Sequence, residues 1–86
     1  MSTNFARMTH HEIAALWPQH QQIFTSSEVD LKDNVVIDSS GIAFLVQWAK
    51  ATPNKRLVVR HASPTVTALI KTFHLEPIFD LQESAT

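Results

Sequence analysis

Apolar positions along the chain switch repeatedly between helical and alternating spacing, which predicts helices interleaved with short strands. Ile13, Leu16, Trp17, Ile23 and Phe24 recur at helical spacing behind a capping-box pair, Thr9 and Glu12, and predict a helix over residues 10–24. Pro18 lies inside that span and predicts a kink there, because its ring clashes with the preceding turn and it has no N–H to donate. After the break Thr25-Ser26-Ser27, Val29 and Leu31 alternate with Glu28 and Asp30, and a turn at Lys32-Asp33-Asn34 leads to the apolar run 35–37. That is the pattern of an interrupted strand. A second helix is predicted over 40–51, stopped by Thr52-Pro53-Asn54, followed by a short buried strand over 57–59. Ser63-Pro64 then opens a third helix in which Val66, Leu69, Ile70 and Phe73 form a core stripe at i, i+3, i+4 and i+7. Residues 75–79 contain Pro77 and predict at most a short edge strand, with a polar tail from Gln82. The alternation implies an α/β fold, with helices packed against a small mixed sheet in one domain over residues 1–86.

Eighty-six residues bury only part of their surface, so a partner that covers some of the rest is expected. Seven Lys and Arg against eight Asp and Glu give a net charge of −1 with no cluster of one sign, which excludes nucleic acid as the ligand class. The chain has no Cys, which excludes a disulfide framework and a thiolate zinc site. The first eight residues lack the apolar core of a leader, and no apolar run approaches the roughly 20 residues of a membrane span. The expected location is the cytoplasm.

The densest candidate chemistry is the run Asp38-Ser39-Ser40-Gly41, set between the apolar stretch 35–37 and the start of the second helix. A strand turning at once into a helix leaves backbone N–H groups unpaired, and the dipole there favours negative charge. Such a place suits a phosphate; it also suits Ser39 or Ser40 as a plain helix cap. On the second helix Ile42, Leu45, Val46 and Ala49 share one face, whereas Phe44 and Trp48 point away from it. Trp48 is therefore expected in a protein interface, and Phe44 either there or under a neighbouring helix. No metal site is expected, since Ala15 stands where a zinc helix that begins at His11 needs its second His. His10 and His11 are expected to point apart, and His20, His61 and His74 fall on separate elements. No Ser–His–acid order or glycine-rich loop is present, so neither an enzyme nor a cofactor is expected.

From about residue 29 to 81 the chain resembles the STAS domain, the family of sulphate-transporter and anti-sigma-factor-antagonist modules. The likeness is carried by Asp30-Leu31 and then Ile37-Asp38-Ser39-Ser40-Gly41-Ile42, by the strand at 57–59, by Val66-x-x-Leu69-Ile70, and by Leu75-x-x-Ile78-Phe79. Three features depart from the family pattern. STAS domains begin with two strands before their first helix, whereas here only residues 2–8 precede Thr9, so an N-terminal edge strand is expected to be missing or supplied by another molecule. Asn34 stands where the family prefers an apolar residue, and the long C-terminal helix of many anti-sigma-factor antagonists is absent. The short C-terminus, Leu16-Trp17 and Trp48-Ala49 look instead like the MlaB-like branch, the STAS subunits of lipid-asymmetry transporters.

The resemblance implies a non-catalytic regulatory or stabilising subunit that binds the cytoplasmic ATPase of a phospholipid ABC transporter, and through it the membrane permease at the inner-membrane face. The residues implied in partner binding are Asp38, Ser39, Ser40, Gly41, Phe44 and Trp48. The alternative is an anti-sigma-factor antagonist switched by phosphorylation of Ser39, the position that matches the family's phosphorylated serine. A third reading, a small-molecule binder using the loop as an anion site, has no other support. An exposed sheet edge near the N-terminus would also permit a homodimer.

Overall fold

The computed structural model describes residues 5–83. In chain order the elements are β1 (Arg7–Met8), α1 (His10–Leu16), a 3-10 turn (Trp17–Gln19), α2 (His20–Ile23), β2 (Glu28–Asp30) and β3 (Val36–Ile37). They continue with α3 (Ser39–Ala51), β4 (Leu57–Ala62), α4 (Pro64–Thr72), a second 3-10 turn (Glu76–Ile78) and β5 (Phe79–Glu83). The expected α/β class is what the chain adopts. Its strands form two parallel sheets, β1-β3 and β2-β4-β5, rather than one mixed sheet.

The larger sheet is open on one face. Val29, Leu57, Val59 and Phe79 are buried, while Glu28, Asp30, Arg60, Asp80 and Gln82 are exposed. Parallel sheets usually have both faces covered and read as continuous apolar runs; here the helices cover one face, and the strands alternate accordingly. β4 is longer than the predicted 57–59. It reaches Ala62 through a register shift against β5 between Arg60 and Ala62, where His61 takes a left-handed φ of 57°. The His61 Nδ1 lies 2.8 Å from the Asp30 carboxylate on the neighbouring strand, which helps hold that irregular residue.

One strand, β1, precedes α1 among the described residues, and it is only two residues long. Asn34, the polar departure from the family pattern, has a use here: its side-chain amide donates to the carbonyls of Phe5 at 2.7 Å and Val36 at 3.2 Å. It ties the chain ahead of β1 to the entry of β3.

The predicted helix over 10–24 is three pieces, because Pro18 sits in the first turn of the 3-10 segment and cannot continue the α-helical ladder. Thr9 is the N-cap residue of α1, but its hydroxyl donates to the Glu12 carboxylate instead of accepting a backbone N–H, so half of the expected capping box is replaced by a side-chain pair. Residues 75–79 are not an edge strand. Pro77 occupies the start of the second 3-10 turn, which suits its fixed φ and missing N–H, and β5 begins only at Phe79 and runs through the stretch read as a polar tail. The core stripe of α4 also needs correcting at its end. Val66 and Ile70 are buried, but Phe73 is 47% exposed, because α4 stops at Thr72 and the chain turns away through His74, whose φ is 57°.

Gly41 shows how closely α3 lies on the smaller sheet. A Cβ at that position would sit 2.5 Å from the Met8 carbonyl oxygen and 2.6 Å from Ile37 Cγ1. Only a residue without a side chain allows the first turn of α3 to rest on β1 and β3 at once.

Candidate functional site

Asp38 organises the mouth of α3. It is the N-cap, and its Oδ1 accepts the N–H of Ser40 at 2.9 Å and of Gly41 at 3.3 Å. Its other oxygen accepts the N–H of His10, the first residue of α1, at 3.2 Å. The cap expected from Ser39 or Ser40 is therefore supplied by Asp38, whose shorter reach to two consecutive amides leaves both serine hydroxyls out of the capping role. α3 consequently begins at Ser39, one residue earlier than predicted, and Ser39 is exposed at its first position.

Ser39 lies at the head of an open apolar cleft of about 330 Å³. Ile42, Ala43 and Val46 of α3 form one wall, and Phe73 and Leu75, just beyond α4, form the other. Gln47 closes its lower end, and no charged residue lines it. A second cleft of about 230 Å³ runs along the opposite flank of α3, between Ser40, Ala43, Phe44 and Gln47 on α3 and Ile13 and Trp17 on the N-terminal helices. Ala43 and Gln47 line both clefts, spaced i, i+4 along an exposed ridge that begins at Ser39. Trp17 at 42% and Phe73 at 47% exposure stand on the two sides of that ridge. The third exposed large apolar side chain among the described residues, Val35, lines neither cleft.

Phe44 and Trp48 are not on that surface. They are 2% and 3% exposed, packed beneath the N-terminal helices. The Phe24 ring stacks on Trp48 at 5.6 Å and lies 5.3 Å from Phe44, while Trp17 meets Phe44 edge-on at 6.4 Å. The Trp48 indole N–H donates to the carbonyl of Ser26 at 2.7 Å, so its polar end is satisfied inside the fold. The interface expected for Trp48 is thus an intramolecular one, and of the two readings left open for Phe44 the neighbouring helix is correct. The reason is the short helical segment over 10–24, which covers the flank of α3 that a helical wheel leaves outside the sheet.

The structure brings Asp38, Ser39, Ser40 and Gly41 together at one helix mouth and places Phe44 and Trp48 one to two turns below, facing inward. Ala43 and Gln47 complete the exposed ridge without any role expected from the sequence, whereas Trp17, Phe73 and the half-buried Leu75 beside it were read as helix, core-stripe and family-likeness positions and not as part of a surface. A detectable signal existed for Phe73 alone, since it ends an apolar stripe immediately before a turn. His10 and His11 do not diverge as adjacent helical residues would, for their ring centroids are 4.1 Å apart. Among the described residues no group of three or more His, Asp or Glu side chains converges, and no helix is long and apolar enough to cross a membrane.

Comparison with family models, with curated proteins and with solved structures finds no match.

Proposed function

We propose that this chain is a non-catalytic STAS-like subunit that docks on a partner protein through the exposed ridge of α3. The observation that carries the reading is Ser39, exposed at the head of an uncharged apolar cleft lined by Ile42, Ala43, Val46, Phe73 and Leu75. A hydroxyl at the rim of an apolar surface, on a rigid helix capped by Asp38, offers a partner both an anchor and a register.

The partner we favour is the cytoplasmic ATPase of a phospholipid ABC transporter, because the resemblance of residues 37–42 and the Leu16-Trp17 and Trp48-Ala49 pairs point to the lipid-asymmetry branch of the family. The subunit would then sit at the inner face of the membrane through its complex. It would act allosterically, by binding one state of the ATPase more tightly than another and so shifting its population. The second reading, an anti-sigma-factor antagonist, is favoured by the same Ser39, whose exposure leaves it open to a kinase. A homodimer through β1, which pairs only with β3 among the described residues, is compatible with either reading.

Co-expression with such an ATPase and joint purification tests the proposal. A stoichiometric complex that Ala43→Arg disrupts without unfolding the chain supports it. Absence of any complex, or selective binding to an anti-sigma kinase with transfer of phosphate to Ser39, overturns the transporter reading.

A further inference from the structure

Residues 10–24 are attached to the rest of the fold in an unusual way. No residue of α1, the 3-10 turn after it or α2 is buried, and none of the three pieces has a side-chain cap to its backbone. Two hydrogen bonds reach across to α3 or its cap at the two ends of the segment. At the start the His10 N–H donates to Asp38, and just past the end the Ser26 carbonyl accepts from the Trp48 indole. Between those points Ile13, Leu16, Ile23 and Phe24 pack against the core but stay only partly buried, and the open 230 Å³ cleft lies beside Ile13 and Trp17. What the segment covers is nevertheless the aromatic flank of α3, Phe44 and Trp48.

We infer that residues 10–24 form a strap that opens from α3 as one unit, with Asp38 and Trp48 as its two clasps. Segments that lie at the edge of a core and contribute no fully buried side chain open at a lower free energy than the core itself, often as contiguous cooperative pieces. The break at Pro18 does not divide the strap, because the His20 N–H bonds back to the Trp17 carbonyl and the Trp17 ring stacks on His20 at 4.1 Å. β1 remains paired with β3 when the strap lifts, and the Ser27 carbonyl keeps the Val58 N–H, so Thr9 and Ser27 are the hinges. Opening exposes Phe44 and Trp48 beside Ser40 and Ala43. It therefore enlarges the apolar surface of α3 from one cleft to a whole flank. The device is independent of which partner binds and operates in the free protein.

Amide hydrogen exchange of the whole chain, followed by NMR across a series of low denaturant concentrations, tests it. The expected result is that amides within 13–24 exchange through one shared opening, with a common free energy and a common denaturant slope, both smaller than those of α3 and β4. In Trp48→Phe, which keeps a ring but removes the N–H donor, exchange within 13–24 should accelerate about five-fold beyond any change in α3 and β4, the effect of one lost hydrogen bond. Exchange of 13–24 with the same free energy and slope as α3 would overturn the inference. So would residue-by-residue exchange without a shared slope, which is fraying, or an equal acceleration everywhere in Trp48→Phe.

Discussion

The carboxylate of Asp38 joins the first turn of α3 to the first turn of α1, holding Ser40 and Gly41 with one oxygen and the His10 N–H with the other. Two helices that follow neighbouring parallel strands thus start from one side chain. Asp38→Ala removes the acceptor for both and is expected to cost about 1–2 kcal/mol, the range for losing a strong N-cap. Asp38→Asn keeps a carbonyl oxygen at the α3 cap and should cost less. Chemical denaturation measures both, and equal losses would show that the cap matters only through its charge.

Gly41→Ala separates packing from propensity. In an open helix Ala would stabilise by about 1 kcal/mol over Gly. Against the Met8 carbonyl and Ile37, at 2.5 and 2.6 Å from the added carbon, it should instead destabilise by roughly 1–3 kcal/mol, the cost of overpacking. The sign of the change in melting temperature decides.

Trp48→Ala empties a site that is 3% exposed and should cost about 3–5 kcal/mol, more than Leu69→Ala, whose side chain is only half-buried. Read from the sequence alone, the order would be reversed, with Trp48 expendable for folding. Thermal melts of the two variants test the burial directly, and a smaller loss for Trp48→Ala would return that residue to the surface.

The difference between those readings shows where local pattern stops being informative. The α/β alternation was legible, as were Pro18 as a break in helical regularity, the Ser63-Pro64 start of α4, and the Asp38–Gly41 turn from β3 into α3. Each rests on chemistry within a few residues. Trp48 and Phe44 were misread because helical periodicity tells which residues share a face but not what lies against that face, and here a broken, weakly periodic segment some 20 residues upstream does the covering. The 3-10 turn at Glu76–Ile78 was missed because Pro77 excludes a central strand without specifying what replaces it. Asp38 was overlooked as the cap because two serines beside it fit the same preference, and only the geometry of the turn chooses among them.

Acid should weaken the β2-β4 edge. The Lys32 N–H, and after it His61, hold the Asp30 carboxyl below its ordinary range. A carboxylate with a lowered folded pKa contributes stability above its unfolded value, about 3.9, and loses it as pH falls through the folded value. Glu12, lowered chiefly by the Thr9 hydroxyl, acts in the same direction. The stability difference between the natural chain and Asp30→Asn is therefore expected to be largest near neutral pH and to shrink as pH falls to about 2. Melts over that range test it, and a difference independent of pH would mean that Asp30 acts without its charge.

The central claim, that Ser39 faces a partner, predicts opposite responses of fold and complex to one substitution. Ser39→Glu places a carboxylate in the first turn of α3, where it is favourable by roughly 0.3–1 kcal/mol, so the melting temperature should hold or rise. The same carboxylate, brought against a surface fitted to a hydroxyl, carries a desolvation cost that the free protein never meets. The decisive measurement is the affinity of the Ser39→Glu variant for the transporter ATPase, taken alongside its thermal melt. Affinity reduced by tenfold or more, about 1.4 kcal/mol, with an undiminished melting temperature is the predicted result. Unchanged affinity would remove Ser39 from the interface and contradict the account.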